Sequence, residues 1–516
     1  MAAKLKFRRA PGRHPSLNPF SRSALLTDLY EVTMAYGYWK SERADLDAAF
    51  HLYFRNHPFN GGFTIASGLA DVIEYLKGFQ FEAPELDYVG GLKGDDGRPL
   101  FDRSFLRYLA RLKFACDVDA IPEGTVVFPQ EPLVRVRGPI LQAQLVETAL
   151  LNFVNFQSLI ATKAARVCLA AESDPVIEFG LRRAQGVDGG FSAARATYIG
   201  GCVGTSNLLA GHVLGIPVKG THAHSWVLAF EDELAAFEAY ADALPNNCTL
   251  LVDTYDSLEG VRHAVEVGRR LGVRGGRLGG IRLDSGDLAY LSIEARKILD
   301  AAGFRDTVIV GSNDLDEYLI ASLKQQKAAI NVWGVGTKLV TAFDQPALGG
   351  VYKLSALRGA DGRWRPRLKV SDEAAKVTNP GILQVRRFRG QEGFVGDAIY
   401  DETRRLPNRV TIVDPVDPTR RKQFLNRRTG VLPVSDYGDR QDACPTVEDL
   451  LVPVFRKGKL VYSLPVLDEI KSRVRRQLDS LHPGIKRFSN PHRYPAGLEL
   501  SLYELKTRLI LRRTRG

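Results

Sequence analysis

TLLVDTYDSLEGVRHAVEVGRRLGVRGGRLGGIRLDSGD (residues 249–287) contains two short apolar runs separated by one long amphipathic segment. TLLV and GGIRL have the length and the apolar composition of buried strands, whereas SLEGVRHAVEVGRRLG repeats its apolar residues at helical spacing. A helix that connects two buried strands is typical of a parallel sheet. This stretch therefore predicts one unit of an α/β fold.

The same alternation continues on both sides of this unit. Four further short apolar runs, each next to a longer helical pattern, are PVIEF (175–179), IPVKG (216–220), TVIVG (307–311) and AINVW (329–333). Six or more strand–helix units predict an α/β barrel over residues 151–345. A doubly wound parallel sheet is the competing architecture.

The flanking regions follow a different pattern. In residues 21–150, TDLYEVTMAYGYWK predicts a helix that begins near Thr27 or Asp28, while AAFHLYFR and TVVFPQEPLVRVRG predict strands. This mixture favours an α+β domain with an antiparallel sheet. Residues 346–516 contain short strands, basic turns and a closing helical segment, so we expect a return to the first domain and a C-terminal extension.

Length and composition limit the classes of protein that are possible. A chain of 516 residues with 45% hydrophobic and 25% charged residues is typical of a globular protein with more than one domain. No apolar stretch is long enough to span a bilayer. Residues 1–20 are basic and lack an apolar segment, so we expect a disordered tail; an organelle-targeting segment is the alternative. The five cysteines form no CxxC pair, which favours a reducing compartment, most simply the cytoplasm.

The formal charge of +11 raises the question of anionic partners. Many of the basic residues lie late in the chain, in RRLPNR, PTRRKQFLNRR, KSRVRRQ and LILRRTRG. They are mixed with Asp and Pro and have no interleaved aromatic series. A solvated basic surface, or one that attracts phosphorylated substrates, is therefore expected rather than a nucleic-acid-binding surface.

Polar residues follow the predicted strands. They are Arg182, Thr221, His224, Asp253, Arg282, Asp284, Ser312, Asn313 and Gly334 to Thr337. In a parallel barrel these positions share the rim where active sites lie. Ser, Asn or Asp at any one position is better explained as a helix cap. Capping does not require two arginines and a histidine, so the whole set predicts a site.

The residue types at this rim suit a phosphorylated substrate. In WGVGTKLVTA (333–342), Gly336 and Thr337 offer backbone N–H groups and a hydroxyl to a phosphate. Arg182 and Arg282 can bind carboxylate or phosphate through two N–H groups. Asp284 and Asp287 could hold Mg²⁺ or stabilise a cationic transition state, and Asp287 is equally suited to the start of the next helix.

The segment GTHAHSW (220–226) has two histidines that would face the same way on an extended backbone. A metal-dependent barrel hydrolase would need further histidines at later strand ends. Only His263, His482 and His492 follow His224, so that interpretation lacks ligands. A second interpretation makes one histidine a nucleophile for a phosphoryl group. A structural histidine near the surface is the third, and the motif alone favours it.

Taken together, many segments in one order resemble the nicotinate phosphoribosyltransferase family. They include LLTDLYEVTMAYGYW (25–39), EFGLRRAQG (178–186), GTHAHSW, IRLDSGD (281–287) and WGVGTKLVTA. The resemblance spans about 24–355, with little beyond 390. It implies an irregular α/β barrel of the type II phosphoribosyltransferase kind, an N-terminal open-sandwich domain, and a dimer with active sites near the subunit interface.

The resemblance also implies residue roles. Tyr30 matches the tyrosine that contacts nicotinate, and Thr221 and Arg282 match residues at the nicotinate end of the site. Thr337, beside Gly336, matches a threonine that contacts phosphoribosyl pyrophosphate, and Arg182 matches a substrate-binding arginine. His224 matches the histidine that ATP phosphorylates.

The implied reaction joins nicotinate to phosphoribosyl pyrophosphate, with ATP as co-substrate and Mg²⁺ or Mn²⁺ as cofactor, in NAD biosynthesis. His222, next to the phosphorylated position, could compete for the phosphoryl group or tune His224. A nicotinamide phosphoribosyltransferase is the nearest alternative. Such relatives have an aspartate where this chain has Ser206, and a carboxylate substrate is not repelled here. A basic binding protein on the same fold is the alternative from another class.

Overall fold

The computed structural model describes residues 22–373, 376–426 and 446–514. The predicted tail at 1–20, Cys444 and parts of two late basic segments lie outside these ranges. The helices are α1 (Leu29–Lys40), α2 (Leu69–Gly78), α3 (Ala83–Gly91), α4 (Arg103–Ala110), α5 (Ile140–Leu145), α6 (Glu147–Ala171), α7 (Val187–Gly200), α8 (Leu208–Leu214), α9 (His224–Val227), α10 (Glu233–Ala243), α11 (Ser257–Val273), α12 (Leu288–Ala301), α13 (Glu317–Gln325), α14 (Thr337–Val340), α15 (Leu467–Asp479) and α16 (Leu500–Thr514).

The strands form three larger sheets and a two-stranded one. They are β1 (Asp47–Phe54), β2 (Thr64–Ile65), β3 (Asp117–Ala120), β4 (Val126–Val127), β5 (Val134–Pro139), β6 (Val176–Glu178), β7 (Gly204–Thr205), β8 (Cys248–Leu251), β9 (Leu278–Leu283), β10 (Val308–Gly311), β11 (Val332–Val335), β12 (Gly350–Arg358), β13 (Trp364–Pro366), β14 (Leu383–Gly390), β15 (Gly393–Asp401), β16 (Arg409–Val413), β17 (Arg421–Leu425), β18 (Thr446–Asp449), β19 (Val452–Arg456), β20 (Lys459–Leu460) and β21 (Ala496–Glu499).

The first sheet is antiparallel and has the strand order β13-β12-β1-β5-β3-β19-β20. β1 lies between β12 and β5, so its apolar sequence is buried along nearly its whole length. The predicted antiparallel sheet of this region is therefore confirmed. The chain comes back to this sheet after the parallel part, because β12 pairs with β1 and β19 pairs with β3.

The long helix α6 connects the first sheet to the parallel one. Leu150 and Leu159 pack in the core of the N-terminal region, whereas Val167 and Ala171 pack in the core of the parallel sheet. Near its middle, fully buried Lys163 and Arg166 both pair with Glu317 of α13. Removing one partner of a buried ion pair leaves an uncompensated charge, so this contact fixes α6 against the parallel layer.

The parallel sheet has the order β7-β6-β11-β10-β9-β8. It curls into a half-barrel, which confirms the predicted α/β class and its irregular barrel. TLLV and GGIRL form the neighbouring strands β8 and β9, joined by α11 as predicted. IPVKG was expected to be a strand, but only Val218 forms a bridge, to Thr205. The short strand β7 fills that place in the sheet instead.

The segment SWVLAFEDELAAFEAYADAL (225–244), one of the longer helical patterns between the short apolar runs, contains two helices rather than one. Asp232 begins α10 by accepting a hydrogen bond from the backbone N–H of Ala235 at 2.8 Å, and this separates α10 from the short α9. An aspartate that caps a helix favours a new helix start over continuation.

The C-terminal extension contributes a sheet of its own, in the order β17-β16-β21-β15-β14-β18. Buried Arg387 of β14 donates to Asp397 of β15 and to the backbone carbonyl of Val126, which joins this sheet to the N-terminal region. Across the described residues, no helix is both long and apolar enough to cross a membrane.

Candidate active site

The carboxyl ends of the parallel strands meet at one edge of the half-barrel. β6 leads to a short 3-10 turn, Leu181–Arg183, and β11 leads to Gly336 and α14. β9 and β10 end next to each other and place Asp284 beside Ser312. The polar residues that follow the strands are thus brought to one side of the sheet, as the sequence pattern predicted.

A cavity of about 720 Å³ opens at this edge. Its lining residues are Phe179, Leu181, Arg182, Ala184, Gly186, Val187, Ser206, Gly220, Thr221, His222, Ala223 and Arg282. Three of the predicted site residues, Arg182, Thr221 and Arg282, line it. A mostly apolar cavity with a few converging polar groups is the usual form of a small-molecule site.

Arg282 is held at the base of the cavity by three hydrogen bonds. Its Nε donates to the hydroxyl of Ser312 at 2.8 Å, and its Nη1 donates to Thr221 Oγ1 at 3.1 Å. Its Nη2 donates to Asp284 Oδ1 at 2.8 Å. A guanidinium has five N–H groups, so one on each terminal nitrogen is left over. An anion in the cavity could accept from this fixed guanidinium.

Asp253 supports the same network from the end of β8. Its Oδ2 accepts hydrogen bonds from the backbone N–H of Asp284 at 2.8 Å and from Ser285 Oγ at 2.6 Å. Its Oδ1 is buried and has no hydrogen-bond partner among the described residues. Sequence reasoning placed Asp253 at the rim but gave it no role, because its effect depends on contacts with a distant strand.

The two histidines of GTHAHSW lie in different environments. His222 is buried; its Nε2 accepts from the backbone N–H of Leu251 at 3.1 Å, and its Nδ1 lies 3.3 Å from the carbonyl of Ala223. Burial lowers the pKa of His222, which keeps the ring neutral. Both ring nitrogens are therefore used by the protein.

His224 has the first position of α9, and 42% of its side chain is exposed. Its Nδ1 lies 3.2 Å from the hydroxyl of Thr254, and its Nε2 lies 3.9 Å from Asp284 Oδ2. The expectation that the two histidines face the same way is wrong. The backbone is extended at Ala223 but turns helical at His224, so the alternation of an extended strand does not continue.

The segment Gly334–Gly336, where β11 ends, packs closely against the residues that follow β6. A Cβ at Gly334 would lie 2.6 Å from the ring of Phe179, so only glycine admits that ring. At Gly336 the nearest atom to an added Cβ is the carbonyl oxygen of Phe179, at an ordinary 3.4 Å. Gly336 and Thr337 follow β11 at the sheet edge but are not lining residues of the cavity.

Phe179 is the main residue that the sequence analysis did not single out. Its ring lies below the guanidinium of Arg282, with 5.5 Å between the Arg282 Cζ and the ring centroid. Leu181, Ala184 and Val187 add an apolar wall. An aromatic residue at the end of PVIEF looks like ordinary core, so the sequence offered no signal to distinguish it.

Two other predicted residues have a different placement. Asp287 accepts from the backbone N–H of Tyr290 at 3.0 Å and caps α12, which is the alternative that the sequence left open. Tyr30 lies on α1 in the N-terminal domain, 46% exposed, and does not line the cavity of its own chain. Leu29 and Met34 are exposed beside it.

The chain matches three family profiles of the nicotinate phosphoribosyltransferases. The N-terminal domain profile matches residues 25–155, the family profile 175–366 and the C-terminal domain profile 384–506. The match therefore continues beyond residue 390, where the sequence segments showed little resemblance. The C-terminal extension belongs to the same family architecture.

Relatives with this name are similar over nearly the whole chain. The nicotinate phosphoribosyltransferase of Bacillus subtilis is 42% identical over 492 residues, covering 94% of this chain and 95% of the relative. The nicotinate phosphoribosyltransferase of Homo sapiens is 34% identical, and the match covers 95% of this chain and 97% of the relative. The crystal structure of human nicotinic acid phosphoribosyltransferase superposes with a TM-score of 0.79 at 33% identity, over 94% of this chain and 99% of that one.

Proposed function

This chain belongs to the nicotinate phosphoribosyltransferase family, and we propose that it joins nicotinate to phosphoribosyl pyrophosphate. The pyridine nitrogen of nicotinate forms a bond to the anomeric carbon of the ribosyl group, and pyrophosphate leaves with the electron pair of the broken C–O bond. The products are nicotinate mononucleotide and pyrophosphate. The reaction serves NAD biosynthesis from nicotinate.

The observation that carries this proposal is the fixed guanidinium of Arg282 in an otherwise largely apolar cavity. Its hydrogen bonds to Thr221, Asp284 and Ser312 set its orientation before substrate arrives. The remaining N–H groups suit the carboxylate of nicotinate, since a charge-assisted hydrogen bond separates a carboxylate from an amide.

The pyridine ring has an apolar place next to this carboxylate contact. Phe179 offers a ring face, and Leu181 and Val187 offer aliphatic contact. Offset stacking on Phe179 would hold the ring with its nitrogen turned away from Arg282. Ser206 lines the same cavity, and as a neutral residue it does not repel a carboxylate, which disfavours the nicotinamide alternative.

For phosphoribosyl pyrophosphate, we assign the phosphate contact to Gly336 and Thr337. The backbone there leads from β11 into α14, so its N–H groups and the Thr337 hydroxyl suit the 5′-phosphate. Arg182, exposed on the cavity wall, supplies a further positive charge for a substrate phosphate.

Carboxylates of the rim would stabilise positive charge on the ribosyl group as the leaving bond breaks. Two carboxylate oxygens of the rim also suit Mg²⁺ or Mn²⁺ as ligands. They are Asp284 Oδ2 and Asp253 Oδ1, and the second is buried without a partner among the described residues. The described residues contain no group of three or more side chains that could hold a metal by themselves. Mg²⁺ commonly has one or two carboxylate ligands and takes its other ligands from substrate phosphates, and two carboxylates suit such a site. When bound, the ion would neutralise the charge of those phosphates.

We also propose that ATP is a co-substrate and that His224 accepts its γ-phosphoryl group. In the tautomer in which Nδ1 donates to Thr254, Nε2 keeps its lone pair and forms the bond to phosphorus, while ADP leaves. Hydrolysis of the phosphohistidine would pull the overall reaction towards mononucleotide. His222 is excluded from this role because both of its nitrogens are already engaged.

Finally, we propose a homodimer in which Tyr30 completes the site of the partner subunit. Leu29, Tyr30 and Met34 expose apolar side chains on α1, and Leu208 and Leu209 expose theirs on α8, directly after Ser206 of the cavity. Exposed apolar residues on both α1 and α8 suit a symmetric dimer interface that covers α1 and the edge of the cavity. The four described cysteines are free thiols, which suits the cytoplasm as the compartment.

One assay tests this proposal. Purified protein is incubated with phosphoribosyl pyrophosphate, Mg²⁺ and either nicotinate or nicotinamide, with and without ATP, and mononucleotide and ADP are measured. We expect nicotinate mononucleotide, faster with ATP, together with ADP. Equal turnover of nicotinamide would contradict the substrate assignment, and product formation without any ADP release would contradict the role of ATP.

A further inference from the structure

A second cavity of about 390 Å³ lies in the N-terminal domain, between α4, the loop that follows it and the start of α5. The residues that matter for its chemistry are Ser104, Arg107, Tyr108, Arg111, Lys113 and Gln142. None of them lines the candidate active site. The family activity described above makes no use of this cavity.

The wall of this cavity carries three positive charges. Within residues 22–373, 376–426 and 446–514, none of Arg107, Arg111 and Lys113 is engaged in an ion pair. Burial, together with the nearby exposed Asp45, raises the pKa of Tyr108, so one carboxylate lies close to this wall. Three cations against one carboxylate leave a net positive field in a concave surface, where field lines concentrate.

Gln142 adds a neutral donor to the same wall. The residue is 7% exposed, and its Oε1 accepts a hydrogen bond from the backbone N–H of Ala115 at 2.7 Å. That bond leaves the Nε2 amide group without a partner in the described part of the chain. Because Gln142 lines the cavity, this amide can donate to an acceptor bound there.

The geometry points to a binding site for a phosphoryl group, either as inorganic phosphate or as a small phosphate monoester. The polar side chains that line the cavity can all donate: two guanidinium groups, one ammonium, one amide and the hydroxyls of Ser104 and Tyr108. A phosphate has several acceptor oxygens and the negative charge that the wall lacks. The cavity is larger than a phosphate ion, and Leu112 offers apolar contact to an organic portion.

Hydrogen exchange read by mass spectrometry tests this site on the full chain, because it separates the cavity from the active site by peptide. Inorganic phosphate and ribose 5-phosphate are titrated separately, with chloride held at the same ionic strength. We expect saturable slowing of exchange in peptides covering 104–115 and 140–146. Peptides covering 334–341 report the active site separately. Slowing by either phosphate supports the site and shows which form binds.

Two variants and one control sharpen the test. Gln142→Glu keeps the acceptor for Ala115 and replaces the free donor by a carboxylate oxygen, while Arg111→Ala removes one charge. Each should weaken binding about tenfold or more. Arg103→Ala lies on the same helix but does not line the cavity, and should change binding less than about twofold.

Three results would overturn the proposal. The first is slowing no greater than chloride produces. The second is an equal loss in Arg103→Ala, which would indicate general attraction to a basic surface. The third is protection of both peptides that rises with protein concentration in the absence of phosphate, which would make this face an interface between copies of the chain.

Discussion

Arg282 and Thr221 lie 61 positions apart in the chain, and the Nη1 of Arg282 donates a hydrogen bond of 3.1 Å to the Thr221 hydroxyl. The strand β9 carries the arginine, whereas the threonine lies in the loop before α9. This contact fixes the guanidinium at the base of the cavity. It also makes the two residues a unit, so that changes at either should affect the same substrate.

Substitution of Arg282 by alanine should raise the KM for nicotinate far more than the KM for phosphoribosyl pyrophosphate. Loss of a charge-assisted contact of about 1.5–3 kcal/mol corresponds to roughly 10- to 150-fold in affinity. Steady-state kinetics with each substrate varied in turn would measure this. Thr221→Val should give a smaller effect of the same kind, because the guanidinium is kept but loses one anchor. An Arg282→Ala protein with unchanged nicotinate KM would remove the carboxylate assignment.

Substitution of Gly336 by valine should weaken phosphoribosyl pyrophosphate binding and leave folding intact. An added Cβ meets the Phe179 carbonyl at an ordinary 3.4 Å, so the side chain would mainly occupy the space that we propose for the anion. We expect the KM for phosphoribosyl pyrophosphate to rise about tenfold or more. Gly272→Val is the control, since no atom lies within 4 Å of its added Cβ. Unchanged affinity in Gly336→Val would mean that this loop has another purpose.

The two neighbouring histidines should give opposite phenotypes. His224→Ala should lose ATP hydrolysis and acid-labile labelling from γ-labelled ATP, while its unfolding midpoint stays close to that of the unchanged protein. His222→Ala should keep the labelling but lose about 1–3 kcal/mol of stability, because the buried N–H of Leu251 loses its acceptor. Labelling and urea unfolding measure the two effects. Label that survives in His224→Ala and disappears in His222→Ala would reverse the assignment.

Mixing two variants that each lack ATP-stimulated transfer should restore that activity if the site is shared between subunits. After subunit exchange, a Tyr30→Ala and His224→Ala mixture contains heterodimers with one intact site. Random pairing then predicts about one quarter of the original activity. A His224→Ala and Arg282→Ala mixture is the control, since both changes fall on the half-barrel and every site stays defective. No recovery in the first mixture, despite demonstrated exchange, would show that each subunit builds its own site.

Glu31 should contribute less to the stability of the protein as the pH rises towards 7. Burial, with Glu147 nearby, raises the pKa of Glu31 from 4.5 to about 7, although Thr27 and Thr148 donate hydrogen bonds to it. The folded protein thus holds a proton that the unfolded chain releases between these two values. The contribution to unfolding free energy is on the order of 3 kcal/mol, present below pH 4.5 and lost by about pH 7.

Urea unfolding at pH 5 and pH 8 measures this effect by comparison with Glu31→Gln, which stays neutral. The substituted protein should show a flatter pH dependence, while exposed Glu42→Gln should behave like the unchanged protein. A pH dependence of Glu31→Gln that equals that of the original protein would refute this account.

The sequence by itself determined the repeating strand–helix units, the antiparallel first sheet, the rim positions and the family. Local patterns carry this information, because strand and helix periodicity depend on neighbouring residues and the family segments are contiguous. TLLV and GGIRL are strands for that reason, and Arg282 and Thr221 fall at the rim for the same reason.

Only the tertiary structure decided what each rim residue contacts. His222 and His224 are two positions apart, yet His222 is buried and accepts a hydrogen bond from the backbone N–H of Leu251, whereas His224 is partly exposed beside Thr254. The difference arises because α9 begins at His224. Phe179 lines the cavity because Gly334, on a strand more than 150 residues later, leaves room for its ring. Such relationships depend on how distant strands register in the parallel sheet, and that register arises from packing of the whole fold rather than from any single segment.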